Sequence, residues 1–404
     1  MKEIPGKLQR LLKELYLIIT NSIAFYPAII MLLFLVLSFL SISFDFSEAG
    51  KSLKSQIDWL KLRDSSTARI IASSIVTGII SLTVFSFTMV MVVLNQTASQ
   101  MSNRILDHLI GSRFQQVVLG IYIGTIVYAL FLLSTIRNVD SGIQIPTFST
   151  YFLILLTIVD LLIFIYFLHY ITQSVRYKVI IKKTLDQTRD AMEEYCLLED
   201  EPAAQPPFQN GYPLRAEKSG IYTGFNKTIL EKLCAEHDFS IYFMHPPGTF
   251  VLKGIAILEL SENISDEIKK KVLDAILLQN SETIEENYQY GFRQLSEVAV
   301  KALSPGINDP GTAVLIVRAL FSLLTFRMCH FHDNVILDKD KKARVFTKEL
   351  SFENIFTETL LPIWDYGRED RMIKQELYRL LTQFQYIAPN EVVKNLLQEV
   401  RQVI

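Results

Sequence analysis

The stretch from Arg69 to Leu106 constrains the fold more than any other part of the chain. It opens as an apolar run long enough to cross a bilayer, which takes about 20 residues. It then continues into TASQMSNRIL without a proline or a turn signal. Within the run, Ser74, Thr77, Ser81, Thr88 and Asn95 recur at helical steps and share one face. Lipid cannot satisfy a polar stripe of this kind, so it must face protein or water.

Three further apolar runs frame this one. The first, from Ile23 to Ile42, follows Lys2, Lys7, Arg10 and Lys13. It is too long for a signal-peptide core and no small-residue cleavage site follows, which predicts a retained span. The third runs from about Val117 to Ile136, where Gly120 and Gly124 form a GxxxG pair suited to close helix contact. The fourth runs from about Thr150 to Ile171 and carries Asp160 near its centre. Basic residues lie beside the first span, after the second (Arg104, Arg113) and after the fourth (Arg176, Lys178, Lys182, Lys183). This bias predicts both termini on the cytoplasmic side.

A carboxyl group at mid-membrane is costly unless protonated, paired or hydrated. Two readings of Asp160 follow. It is neutral and hydrogen-bonded to a Ser or Thr of a neighbouring span, or it lines a wet cation or proton path with the stripe. His169 falls at the cytoplasmic interface, as an ordinary interfacial histidine or as a pH-sensing group.

After residue 195 the composition changes. Proline, glycine and acids mark residues 196–212 as a linker. Residues 213–262 read as a small β-rich module with an early helix capped by Asn226, and their pattern is similar to the barrel-sandwich hybrid of lipoyl-like modules. No hairpin lysine suited to cofactor attachment is present, so no cofactor is expected. Residues 263–404 read as a helical domain whose first helix Ser265 caps. In SPGINDPGTA, Pro305 and Gly306 stop one helix, Asp309 caps the next and Pro310 fits its first turn. Asn308, Asp309 and Thr312 could alternatively hold a ligand at that helix start. Arg293 and Glu297 are spaced for an i,i+4 pair.

Totals exclude several classes. A net charge of −2 gives no argument for nucleic acid. Cys196, Cys234 and Cys329 have neither disulfide nor zinc spacing and read as plain buried thiols. Cys329, His330, His332 and Asp333 are adjacent along the chain and point to different sides, a poor metal site, so no metal is expected. Nucleotide-binding, hydrolase, zinc-protease and kinase signatures are missing, and no enzyme is expected.

Several motifs in order carry a resemblance. They are SFTMV at 86–90, QTASQMSNRIL at 96–106, QQVVLGIYIGTIVY at 115–128, YFLHYI at 166–171, YGFRQL at 290–295 and ALSPGINDPGTA at 302–313. The chain resembles a family of bacterial predicted membrane proteins labelled domain of unknown function 2254, in which Asn103 stands at a position favouring proline. The resemblance implies a membrane protein with a cytosolic domain and supplies no activity.

The expectation is a mainly α membrane protein of four transmembrane helices, with a helical extension to residue 195. An α+β cytosolic domain follows, containing a small β-barrel-like module and a helical bundle. Its place is the bacterial cytoplasmic (inner) membrane, in contact with lipid and as a homo-oligomer. The first functional reading is an ion channel or ion-coupled transporter for a monovalent cation or proton. Thr77, Ser81, Thr88, Asn95 and Asp160 would form the pathway, and Arg104, His169, Asn308, Asp309 and Thr312 would serve ligand binding or gating. The alternative is a membrane-anchored scaffold or sensor whose cytosolic domain binds a partner or small ligand.

Overall fold

A computed structural model describes residues 22, 24–50, 52, 64–100, 113–136, 145–174, 176–199, 208 and 211–404, with backbone alone for 96–100 and 174. The chain divides into two units, Met1–Ser99 with Asn103–Val175, and Gln100–Ser102 with Arg176–Ile404.

Among the described residues the first unit holds four helices, α1 (Phe25–Phe46), α2 (Ser65–Gln100), α3 (Arg113–Thr135) and α4 (Thr147–Ser174). Helix α3 packs closely along α1 through the GxxxG pair. A Cβ added at Gly120 would lie 2.8 Å from Ile30 Cδ1 and 3.0 Å from Pro27 Cα, and one at Gly124 would lie 2.6 Å from the Phe34 ring. Absence of side chains at these two positions is therefore what lets the helices approach. Ala68, Ala72, Tyr128, Leu132 and Leu153 fill one end of the interior, and Ile79, Val118, Tyr122, Phe167 and Ile171 the other. The outside is apolar as well: Leu33, Phe39, Ile70, Phe87, Leu162 and Ile165 are each more than half exposed. An apolar surface on this scale requires a lipid or protein cover.

Among the described residues, five helices are long and apolar enough to cross a membrane: these four and α9 of the second unit (Pro310–Cys329). The fifth differs in its surroundings. Of its most apolar residues 61% are buried inside the protein, against 17% for α1.

The second unit begins with α5 (Tyr177–Tyr195), expected with the spans but packed here on α8 (Tyr288–Leu303) and α9. Its buried face of Ile180, Ile181, Thr184, Thr188 and Met192 belongs to that core. The expected linker is partly structured. Cys196 is buried, and Leu198 exchanges backbone hydrogen bonds of 3.0 and 2.7 Å with Phe331.

The strands are β1 (Tyr212–Arg215), β2 (Gly220–Phe225), β3 (Ile241–Phe243), β4 (Phe250–Val251), β5 (Ala256–Leu260), β6 (Ile276–Gln279), β7 (Val335–Leu337) and β8 (Ala343–Phe346). One sheet runs β1-β5-β3-β8-β7, antiparallel except for the β3/β8 pair, and the other runs β4-β2-β6. The module expected over 213–262 is thus not self-contained. Its strands β2 and β3 take partners, β6 and β8, from the region read as helical, and both sheets share one core around Tyr222, Phe243 and Leu258. Helices α6 (Lys227–His237) and α7 (Asp266–Asp274) pack beside them. Asn226 caps α6 through Ile229 N at 3.1 Å, whereas Ser265 at the start of α7 makes no side-chain cap bond.

Helices α8, α9, α10 (Phe352–Gly367), α11 (Arg371–Ile387) and α12 (Glu391–Val403) form the helical part. Arg293 on α8 forms an ion pair with Glu282 at 2.7 Å. Buried Cys196 and Cys234 are pushed up to about 11 and about 12 by desolvation, which makes them inert; Cys329, by contrast, is exposed.

Candidate functional site

Among the described residues of the first unit two acidic side chains are fully buried, and their surroundings are opposite. Asp45, at the end of α1, receives Phe148 N at 3.1 Å, Ser149 N at 2.7 Å and Ser149 Oγ at 2.6 Å. These are the orphan donors of the α4 N-terminus, where a carboxylate is favoured by both hydrogen bonding and the helix dipole. Asp45 is a structural cap. Sequence reading passed over it because an acid at the end of a span looks like an interfacial residue.

Asp160 is the fourteenth of the 28 residues of α4, at mid-helix. It is 0% exposed, and neither carboxyl oxygen has a hydrogen-bond partner among the described residues. Thr125 of α3 lies beside it, Tyr122 one turn earlier on α3 is within electrostatic reach, and Ser86 of α2 lies beside Tyr122. The three hydroxyls are buried too, and none makes a hydrogen bond of regular geometry. Three helices therefore converge on one pocket of unsatisfied polar atoms inside an apolar bundle. Leaving such atoms unpaired costs about 1–3 kcal/mol each, so a group this placed must be protonated or hydrated. A cavity of about 220 Å³ between α2 and α3 reaches Ser86 and Tyr122, with Val90, Leu119 and Phe167 among its walls. Ser86 and Tyr122 offer polar atoms, and most of the remaining lining is apolar, so the space suits water beside those two hydroxyls.

The stripe of α2 lies elsewhere. Ser74, Thr77, Ser81, Thr88 and Asn95 are all exposed on the outer face of the four-helix unit, while Ile79 and Ser86 point inward. Thr77, Ser81 and Thr88 donate to the carbonyls of Ser73, Thr77 and Val84 at 3.0, 2.9 and 2.8 Å. Their hydroxyls are thus satisfied by their own helix. Within one subunit the stripe and Asp160 do not meet. The sequence signal for the inner cluster was the i,i+3 pair Tyr122 and Thr125 together with Ser86, all inside spans.

His169 is exposed on α4, and Arg104 lies outside the described residues. At the α8–α9 corner the polar groups satisfy each other. Asp309 accepts Thr312 N at 3.1 Å and Thr312 Oγ1 at 2.6 Å, Asn308 adopts φ +50° and donates its N–H to Ser304 O at 2.9 Å, and Pro310 begins α9. That corner is explained by helix capping.

Known proteins can now be set beside this geometry. A family model described as Predicted membrane protein (DUF2254) matches residues 20–383. The chain belongs to this family. Among curated relatives, an uncharacterized protein of Mycobacterium bovis and one of Mycobacterium tuberculosis are each 24% identical over 312 residues, 73% of this chain. The chain spans 59% of the length of each. No solved structure matches this DUF2254 chain.

Proposed function

We propose that the chain forms a homo-oligomer in the bacterial cytoplasmic membrane. There it conducts a monovalent cation or proton, or couples one to transport, with α1 to α4 as spans and the second unit as a cytoplasmic regulatory or assembly domain. The observation that carries this reading is Asp160, a fully buried mid-helix carboxyl whose neighbouring donor, Thr125, falls short of regular hydrogen-bond geometry, with Tyr122 close by. Natural membrane proteins keep such groups chiefly where protons or ions are handled. Helix α9 is a core helix in this reading, since its apolar sides are covered by α5, α8 and α11.

The outward stripe supplies the oligomeric part. Ser74, Ser81, Thr88 and Asn95 repeat every seven residues, the period of a left-handed helix seam. A second copy covers that seam. The pathway then runs by the Asp160 cluster inside each subunit, or along the seam between copies with Asp160 setting its charge from within.

Purified protein in liposomes should give a cation or proton flux that Asp160→Asn lowers at least about tenfold, equivalent to about 1.4 kcal/mol. In a Cys329→Ser background, Ser81→Cys or Thr88→Cys should cross-link copies in membranes while Ile79→Cys should not. Absent flux in well-folded protein, or equal cross-linking at all three positions, would sink the respective half of the proposal.

A further inference from the structure

The second unit contains a cavity of about 500 Å³ that none of the transport residues line. It opens between the end of α5, the bulged strand β2, the start of α8 and the strands β7 and β8. Its volume is within the range of small-molecule sites, about 300–1,000 Å³.

Three features define what it would accept. Aromatic surface comes from Tyr195, Tyr222, Phe225 and Tyr288, with Tyr195 stacked on His332 at 6.1 Å. Charge comes from three carboxylates, Glu194, Glu286 and Asp333, against one ammonium, Lys227, a balance of −2, with the Glu349 carboxyl beside them held toward its neutral form by burial. Finally, Thr223 is only 5% exposed, lines the cavity and has a hydroxyl with no hydrogen-bond partner among the described residues. Buried atoms Thr347 Oγ1 and His332 Nδ1 on the same walls are likewise without partners. Buried polar atoms are normally satisfied, and a set of unsatisfied ones around one cavity marks the place of a hydrogen-bonding occupant.

The spacing of the acids selects the kind of cation. Among the described residues no three His, Cys, Asp or Glu side chains converge closely enough to hold a metal ion. Charge spread around aromatic walls suits a molecule whose positive centres are separated by apolar carbon. Each ammonium would then face a carboxylate or a ring face, and the methylenes would cover the apolar lining.

We propose that this cavity binds a small organic cation carrying two or more separated positive charges, of the linear polyamine class, with Glu349 and Thr223 inside and Glu194, Glu286 and Asp333 around them. The assignment goes beyond the transport reading and does not depend on it, because binding is measured without flux.

The test is titration calorimetry on the full chain in nonionic detergent, with spermidine as probe, and magnesium and citrate as comparisons. Spermidine should bind saturably, Glu349→Gln and Thr223→Val should each weaken it by about tenfold or more, and Lys227→Glu should tighten it. The last variant guards against misfolding, since a damaged protein does not gain affinity. Failure of spermidine to bind at millimolar concentration overturns the proposal. So does displacement by magnesium at equal charge concentration, tighter binding of citrate, or unchanged affinity across the three variants.

Discussion

Replacing Asp160 by Leu should stabilise the first unit while removing the carboxyl on which the proposed ion pathway rests. Leu has the same branching and heavy-atom count as Asp, so the substitution exchanges two unsatisfied oxygens for methyl groups with little change of shape. An unsatisfied buried polar group costs about 1–3 kcal/mol, and replacing it by apolar atoms of similar shape recovers that cost. The expected gain is therefore about 1–3 kcal/mol, or roughly 2–12 °C in Tm for a unit of this size. Asp45 is the internal control, because its three hydrogen bonds of 2.6–3.1 Å are lost in Asp45→Ala. Breaking that buried, charge-assisted set should cost about 3–5 kcal/mol. Thermal unfolding of both variants in one detergent reads the contrast directly, and liposome flux on Asp160→Leu completes it. Loss of more than about 2 kcal/mol in Asp160→Leu would refute the reasoning, since the carboxyl would then be held by stabilising interactions.

The other expectations are simpler. Gly124→Ala places a methyl 2.6 Å from the Phe34 ring and should cost about 1–3 kcal/mol, whereas Gly78→Ala, with nothing within 4 Å, should be neutral or slightly stabilising in the same melt. In the second unit, hydrogen bonds from Lys342 and then Arg344 hold the Asp238 carboxyl down at about 2, from 3.8. A depressed carboxyl stabilises the fold above pH 3.8, and that contribution is lost as the pH falls toward about 2. Lys342→Met should therefore flatten the acid limb of a Trp364 fluorescence melt across this window, and an unchanged limb would count against the pair. Burial first, opposed by His332 and Arg327, holds the Glu349 carboxyl up, so stability of this unit should fall as the pH rises through the ordinary Glu range; Glu349→Gln should remove that slope.

What the sequence made legible was mostly local. Asn226 and Asp309 are caps whose bonding partners lie three residues away, so spacing alone placed them. The long apolar helices and the Gly120–Gly124 contact follow from hydropathy and from residue size. Membership of the family was legible in ordered motifs and is shown by the match over residues 20–383. Less legible was anything decided by which elements become neighbours. Strands β7 and β8 have three and four residues and no clear alternation, and they are strands because they pair with each other and because β3 lies beside β8. Helix α5 begins at Tyr177, close in sequence to the end of α4 at Ser174, and it joins the second unit because its apolar stripe meets α8 and α9. The inner site was half visible. Asp160 stood out by charge, but its company of Ser86, Tyr122 and Thr125 comes from two other helices. The stripe of α2 drew attention by composition, although its hydroxyls are already spent on the helix's own carbonyls.

The Asp45 cap also fixes an order of events. Its acceptors wait for donors 103 and 104 residues later in the chain, on the first turn of α4. At synthesis rates of about 5–20 residues per second, α1 exists for roughly 5–20 s before that turn is made. During this interval the carboxylate at the end of α1 has no α4 helix start to cap. Closure of the bundle therefore comes last, when the fourth helix arrives, and Asp45 acts as the latch that marks a completed membrane unit.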